Sequence, residues 1–107
     1  MKILLDECVT KRLIPFLNSH EVSTVSQKKW NGLKNGNLIE KVEQEGFDML
    51  LTIDKKINYQ QDISKYNIII AILNTTSSAI KILSGYIPNL LKEINSFEKG
   101  NFYFIDL

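Results

Sequence analysis

The sequence predicts an α/β fold in which residues 1–107 form one domain on a mostly parallel five-stranded sheet sandwiched by helices. Three observations predict it. Short apolar or β-branched runs alternate with stretches of helical spacing, the pattern of βαβ units with right-handed crossovers. Two of the runs, Lys2-Ile3-Leu4-Leu5-Asp6-Glu7 and Met49-Leu50-Leu51-Thr52-Ile53-Asp54, carry apolar side chains for both faces, as in strands covered from either side. Each run then ends abruptly in an acid. That puts carboxylates at the rim where open α/β sheets bind ligands, outside the carboxyl ends of the strands.

Residues 2–6 read as the first strand. Thr10 is a helix cap, and Leu13, Ile14, Phe16 and Leu17 give the apolar side of a helix running to about Ser19. Pro15 removes a backbone donor, so the first turn is irregular or the regular helix starts at Pro15 itself. Asn18-Ser19-His20 turns the chain into a β-branched second strand at 21–25. Residues 26–37 form a polar loop. A helix over roughly 36–45 points Leu38, Ile39 and Val42 inward, and Gly46 ends it.

The third strand is 48–53. Residues 55–65 are polar, with one helical turn around Tyr59-Gln60-Gln61. The most apolar run, 67–73, is the fourth strand. Asn74 to Ser78 form a loop ending in helix caps. Helical spacing returns over 78–97 through Ile80, Leu83, Ile87, Leu90, Leu91, Ile94 and Phe97, with Gly85 and Pro88 bending or splitting the helix. Phe102-Tyr103-Phe104-Ile105 is the fifth strand.

A chain of 107 residues, 44% hydrophobic and 23% charged, has an ordinary globular balance and suffices for one core. No run reaches the ~18 apolar residues of a membrane span. Asp6 and Glu7 interrupt the first apolar run at once, unlike a signal peptide. Cys8 is the single cysteine, which excludes an internal disulfide. Together these features predict a protein of the reducing cytoplasm with no membrane association. The net charge of +1 offers no global field for nucleic acid, so any such binding must come from a local patch.

Asp6 and Asp54 are the main chemical candidates. Two nearby carboxylates resist ionising together unless a cation neutralises them, and Mg²⁺ accepts one or two carboxylates while keeping waters and phosphate oxygens. The competing reading is that both acids merely cap turns at strand ends. Glu7 reaches the same ion only if the strand has already ended at Asp6, and otherwise is a solvated loop acid. The Thr52 hydroxyl can orient the Asp54 carboxylate or belong to an ordinary strand residue. Lys28, Lys29 and Lys34 surround Trp30, a pattern that suits single-stranded nucleic acid, with Lys55 and Lys56 adding phosphate contacts. Alternatively Trp30 plugs the edge of the core and the lysines are solvated. Cys8, just after a strand, reads as structural.

The element order, Leu4-Leu5-Asp6-Glu7 near the start and Leu51-Thr52-Ile53-Asp54 mid-chain resemble the small PIN-like nuclease domains. The resemblance implies a parallel sheet between helices, Mg²⁺ or Mn²⁺ held by clustered acids, cleavage of RNA and, as in many bacterial relatives, a toxin held by an antitoxin protein. It assigns the catalytic acids to Asp6 and Asp54; the candidate metal ligands are these two with Glu7, which follows Asp6 directly, and Asn35. Two departures stand out. Asn35 occupies the place of an acid before the second helix and offers a carbonyl oxygen without charge. Lys56 replaces a second acid after the threonine motif. A PIN-like domain that binds RNA or a protein without cleaving is therefore an alternative. A receiver-type signalling domain also uses acids after its first and third strands. It needs a lysine after its last strand, where this chain has Asp106 and Leu107.

Overall fold

The computed structural model describes the backbone of residues 1–107 and every side chain except those of Tyr59 and Gln60. Five strands form one sheet: β1 (Lys2–Leu5), β2 (Glu21–Thr24), β3 (Met49–Thr52), β4 (Ile69–Leu73) and β5 (Asn101–Ile105). Their order is β2-β1-β3-β4-β5, and every adjacent pair is parallel. The helices are α1 (Asn35–Gln44), α2 (Ile57–Gln60), α3 (Ile80–Ser84) and α4 (Ile87–Glu93), with short 3₁₀ segments at Lys11–Leu17, Ile63–Lys65 and Ile94–Ser96.

The doubly apolar runs explain the layering. Alternate strand residues point to opposite faces. Ile3, Leu5, Met49, Leu51, Ile69, Ala71 and Leu73 face one core, which Leu13, Leu17, Leu83, Ile87 and Leu90 close from the 3₁₀ segment, α3 and α4. Leu4, Leu50, Ile70 and Ile72 face the other, against Leu38, Ile39 and Val42 of α1 and Ile57 of α2. Each fully buried Leu or Ile contributes about 1.5–3 kcal/mol through removal from water.

Most elements lie within a residue or two of their expected bounds, and the differences have local causes. Thr10 caps its segment, accepting from the Arg12 amide at 3.2 Å. The segment is nonetheless 3₁₀ throughout, because Pro15 lacks a donor and its ring would clash with the carbonyl four residues earlier in an α-helix. The long C-terminal helix is split into α3 and α4 around Gly85, and Pro88 sits in the first turn of α4, where a missing N–H costs nothing. At the end of α1, Gly46 takes φ +80°, the Gly46 amide donates to the Glu43 carbonyl and the Phe47 amide to the Val42 carbonyl. This Schellman closure turns Phe47 back onto α1 and aims the chain into β3.

The amino-terminal edge of the sheet is pinned by Asp48. Its carboxylate accepts from the Lys2 amide at 2.7 Å and pairs with Lys99 at 3.0 Å. The Lys2 hydrogen bond, helped by Lys99, holds the Asp48 carboxyl below its ordinary value. At this end His20 is half-buried, with Nδ1 shielded from water and lacking a partner among the described residues. Burial, and then the N-terminal ammonium, push its pKa below the ordinary 6.5. The unfolded chain therefore binds the proton more readily than the fold. His20 costs nothing well above pH 6.5, and stability falls as pH drops through 6.5 toward the lower folded value. In urea titrations from pH 7.5 to 5, His20→Gln should lose less stability than the parent. Equal losses would refute this.

Candidate functional site at the carboxyl edge

In the order β2-β1-β3-β4, the connection leaving β1 runs to one side and that leaving β3 to the other, and the crevice at such a switch point is the favoured binding place of an open parallel sheet. Asp6 and Asp54 flank that crevice. β1 stops at Leu5, which pairs in register with Leu51. The Asp6 amide still donates to the Leu51 carbonyl at 3.0 Å, which sets Asp6 beside Thr52. Thr52 is completely buried. Its hydroxyl donates to Asp6 Oδ2 at 2.8 Å and accepts the Asp54 amide at 3.0 Å. One buried oxygen thus holds the two acid-bearing turns together. The other Asp6 oxygen accepts from the Glu7 amide at 2.8 Å, and Asp54 Oδ1 accepts from the Lys56 amide at 2.9 Å. Both carboxylates are half-buried and locally fixed.

A groove of about 400 Å³ opens beside them. It is lined by Asp6, Glu7, Cys8 and Asp54 from beyond the ends of β1 and β3, and by Gly32, Leu33, Lys34, Asn35 and Leu38 from the loop before α1 and from α1 itself. The Glu7 carboxylate accepts the Gly32 amide at 2.5 Å, which ties the 26–34 loop to the end of β1. Gly32 takes φ +83°, a turn that a side chain would strain. Asn35 opens α1 after the cap residue Lys34, so the first turn of that helix borders the groove. Its amide dipoles and the Lys34 ammonium favour an anion there. A smaller recess of about 190 Å³ lies on the far side of Asp6 and Glu7, among Thr10, Lys11, Thr24 and Ser26.

Cys8 belongs to this site, which sequence reasoning missed. Its position two residues beyond Asp6 in the same turn was the available signal. Its Sγ lies 3.5 Å from Thr52 Oγ1 and 3.8 Å from Asp6 Oδ2. The residue as a whole is exposed, but its sulfur turns toward these groups. Burial of the thiol pushes its pKa up, the Thr52 contact partly offsetting this and the Asp6 charge adding to it. At neutral pH the sulfur is therefore a thiol rather than a thiolate.

The candidate nucleic-acid residues do not form one surface. Lys34 lines the groove. Lys55 reaches the other way, donating to the Thr75 carbonyl at 2.7 Å beyond β4, and Lys56 is exposed next to Asp54. Trp30 is half-buried and meets Phe47 edge-on at 6.0 Å, with Lys28 5.5 Å from the Phe47 ring centre and Lys41 5.9 Å from that of Trp30. The indole packs on the α1 core, outside the residues that line the groove. Lys29 is exposed at φ +63° in the same loop.

Among the described residues no three His, Cys, Asp or Glu side chains converge as a ready metal cage. Asp6, Asp54 and Asn35 line the same groove and bring carboxylate and amide oxygens to it as a candidate donor set. It fits Mg²⁺ or Mn²⁺, which bind through one or two carboxylates and retain waters. No helix among the described residues is long and apolar enough to cross a membrane. No family model matches the chain, and neither a curated protein nor a solved structure matches it. What the groove can do therefore follows from its own chemistry.

Proposed function

We propose that the groove is the active site of a Mg²⁺- or Mn²⁺-dependent ribonuclease of the PIN-like class, acting in the cytoplasm as the toxin partner of an antitoxin protein. The observation that carries the reading is the buried Thr52 hydroxyl, which links Asp6 to the Asp54 turn at the switch point of the sheet. Asp6 and Asp54 present carboxylate oxygens to a shared ion, and Asn35, which lines the same groove, adds a neutral amide oxygen. The first turn of α1 and Lys34 draw a phosphodiester into the groove, while Lys28, Lys29, Lys55 and Lys56 supply longer-range attraction to the strand. A bound divalent ion neutralises phosphate charge and lowers the pKa of a water.

Two measurements test this. Saturating Mn²⁺ should raise the melting temperature, since an ion at a hundredfold excess over its Kd adds about 2.7 kcal/mol to the native state. Asp6→Asn and Asp54→Asn should each remove that gain. Relief of carboxylate repulsion can stabilise the metal-free variants, so the metal-dependent difference is the quantity to compare. Across a panel of single-stranded and structured RNAs, Asp6→Asn should abolish cleavage and spare binding. Cleavage that survives in Asp6→Asn belongs to a contaminant or another mechanism.

A second reading, RNA or protein binding without turnover, draws support from particular contacts. Glu7 is engaged by Gly32, and one Asp54 oxygen is engaged by the Lys56 amide. Retained binding with no cleavage of any RNA would favour it. Receiver-type signalling domains share the 2-1-3-4-5 strand order. This chain carries Asp106 where they need a lysine, and the Thr52 hydroxyl engages Asp6 from β3. Phosphorylation of Asp54 by acetyl phosphate would revive that reading.

A further inference from the structure

We infer that the outer surface formed by Lys11–Leu17 and α3 is a docking face for an acidic amphipathic segment of a partner protein. These two elements pack against each other on the sheet face opposite α1. Phe16 remains 48% exposed and Ile82 44%, with Pro15 also exposed beside Phe16. Lys11, Arg12 and Lys81 are exposed on the same two elements. None of the three forms an ion pair, the pair found among the described residues being Lys99–Asp48. Residues 8–20 and 74–92 contain no Asp or Glu, so nothing on these segments offsets Arg12 and Lys81, while Lys11 borders the recess that Asp6 and Glu7 also line. Exposed apolar side chains among unpaired cations are complementary to a segment with one apolar and one acidic face. A second copy is disfavoured, because a two-fold contact would set these cations against themselves. A nucleic acid would satisfy the cations but leave Ile82 and Pro15 without apolar contact.

The test uses the full chain in its host cell, with the photo-reactive p-benzoyl-phenylalanine in place of Phe16 or Ile82, and of Glu40 on α1 as control. Illumination should give an adduct at the first two positions alone. Mass spectrometry should place the cross-link in a protein segment of net negative charge with apolar residues at i, i+3 and i+4. That segment, as a labelled peptide, should bind the purified chain. The double variant Phe16→Ser, Ile82→Ser and, separately, Lys81→Glu should each weaken binding by roughly tenfold or more, with unchanged circular dichroism. Asp54→Asn, in the groove but away from the recess that Lys11 borders, should leave it unchanged, which separates this face from the groove. No adduct, an adduct to RNA or to a second copy, or a cross-link in a neutral or basic segment would overturn the proposal.

Discussion

Thr52→Val should lower the unfolding free energy by about 1–3 kcal/mol, the range for a buried polar group left without its partner. The two side chains have nearly the same shape, so no cavity forms and the loss isolates the hydroxyl. Its removal leaves the Asp54 amide with no acceptor at 3.0 Å and frees Asp6 Oδ2 from its fixed donor at 2.8 Å. In a domain of this size each kcal/mol corresponds to roughly 4–8 °C in Tm. The midpoint of urea unfolding should fall with the slope unchanged, since the surface exposed on unfolding is the same. The Mn²⁺-dependent rise in Tm should shrink as well, because the two acids no longer share a fixed anchor. Thr52→Ser keeps the oxygen and should recover much of both quantities. Parent-like stability together with a parent-like metal response in Thr52→Val would remove the hydroxyl from its role.

Leu51→Ala should cost more, about 2–5 kcal/mol, a large share of the roughly 5–15 kcal/mol that stabilises an ordinary domain. Leu51 is completely buried and pairs in register with Leu5 on one side and Ala71 on the other. The small Ala71 cannot fill the space left beside it. The position also connects stability to the site, because the Leu51 carbonyl receives the Asp6 amide and the next residue is Thr52. Leu90→Ala, in the same core but on α4, should cost a similar amount. Chemical denaturation of the two variants gives the comparison. At temperatures where both remain folded, Leu51→Ala should weaken the metal response and Leu90→Ala should preserve it. Equal responses would show that β3 packing and site geometry are independent.

Much of the architecture was legible because its signals are local. Ile3-Leu4-Leu5 and Ile69-Ile70-Ala71-Ile72-Leu73 have no polar face to give to water, and such runs become strands between two layers. Gly46 was readable as a helix stop because a left-handed closing residue favours glycine. The 3₁₀ character of Lys11–Leu17 was half legible. Pro15 announced an irregular helix, but the sequence left open whether a regular helix would begin at Pro15, and the whole segment is 3₁₀ with Leu13 and Leu17 buried in the core. In the groove, Asp6 and Asp54 stood out as acids ending apolar runs, whereas Cys8 did not, since an isolated cysteine after a strand has no pattern of its own.

By itself the sequence determined which segments are strands, that the sheet is covered on both faces, and that Asp6 and Asp54 lie at carboxyl ends. These follow from side-chain periodicity and from where polarity begins, both of which act over a few residues. The doubly apolar runs also lead one to expect β1 in the interior with its carboxyl end beside that of β3, and the strand order bears this out. Only the tertiary structure decided that Thr52 joins Asp6 to the Asp54 turn. It alone committed Glu7 to Gly32, brought Asn35 to the same groove, turned the Cys8 thiol toward Thr52 and packed Trp30 on the α1 core. Those outcomes depend on contacts between residues 17 to 46 positions apart, from Trp30 with Phe47 to Asp6 with Thr52. Such choices are set by how whole faces fill space together, and no local pattern carries that information.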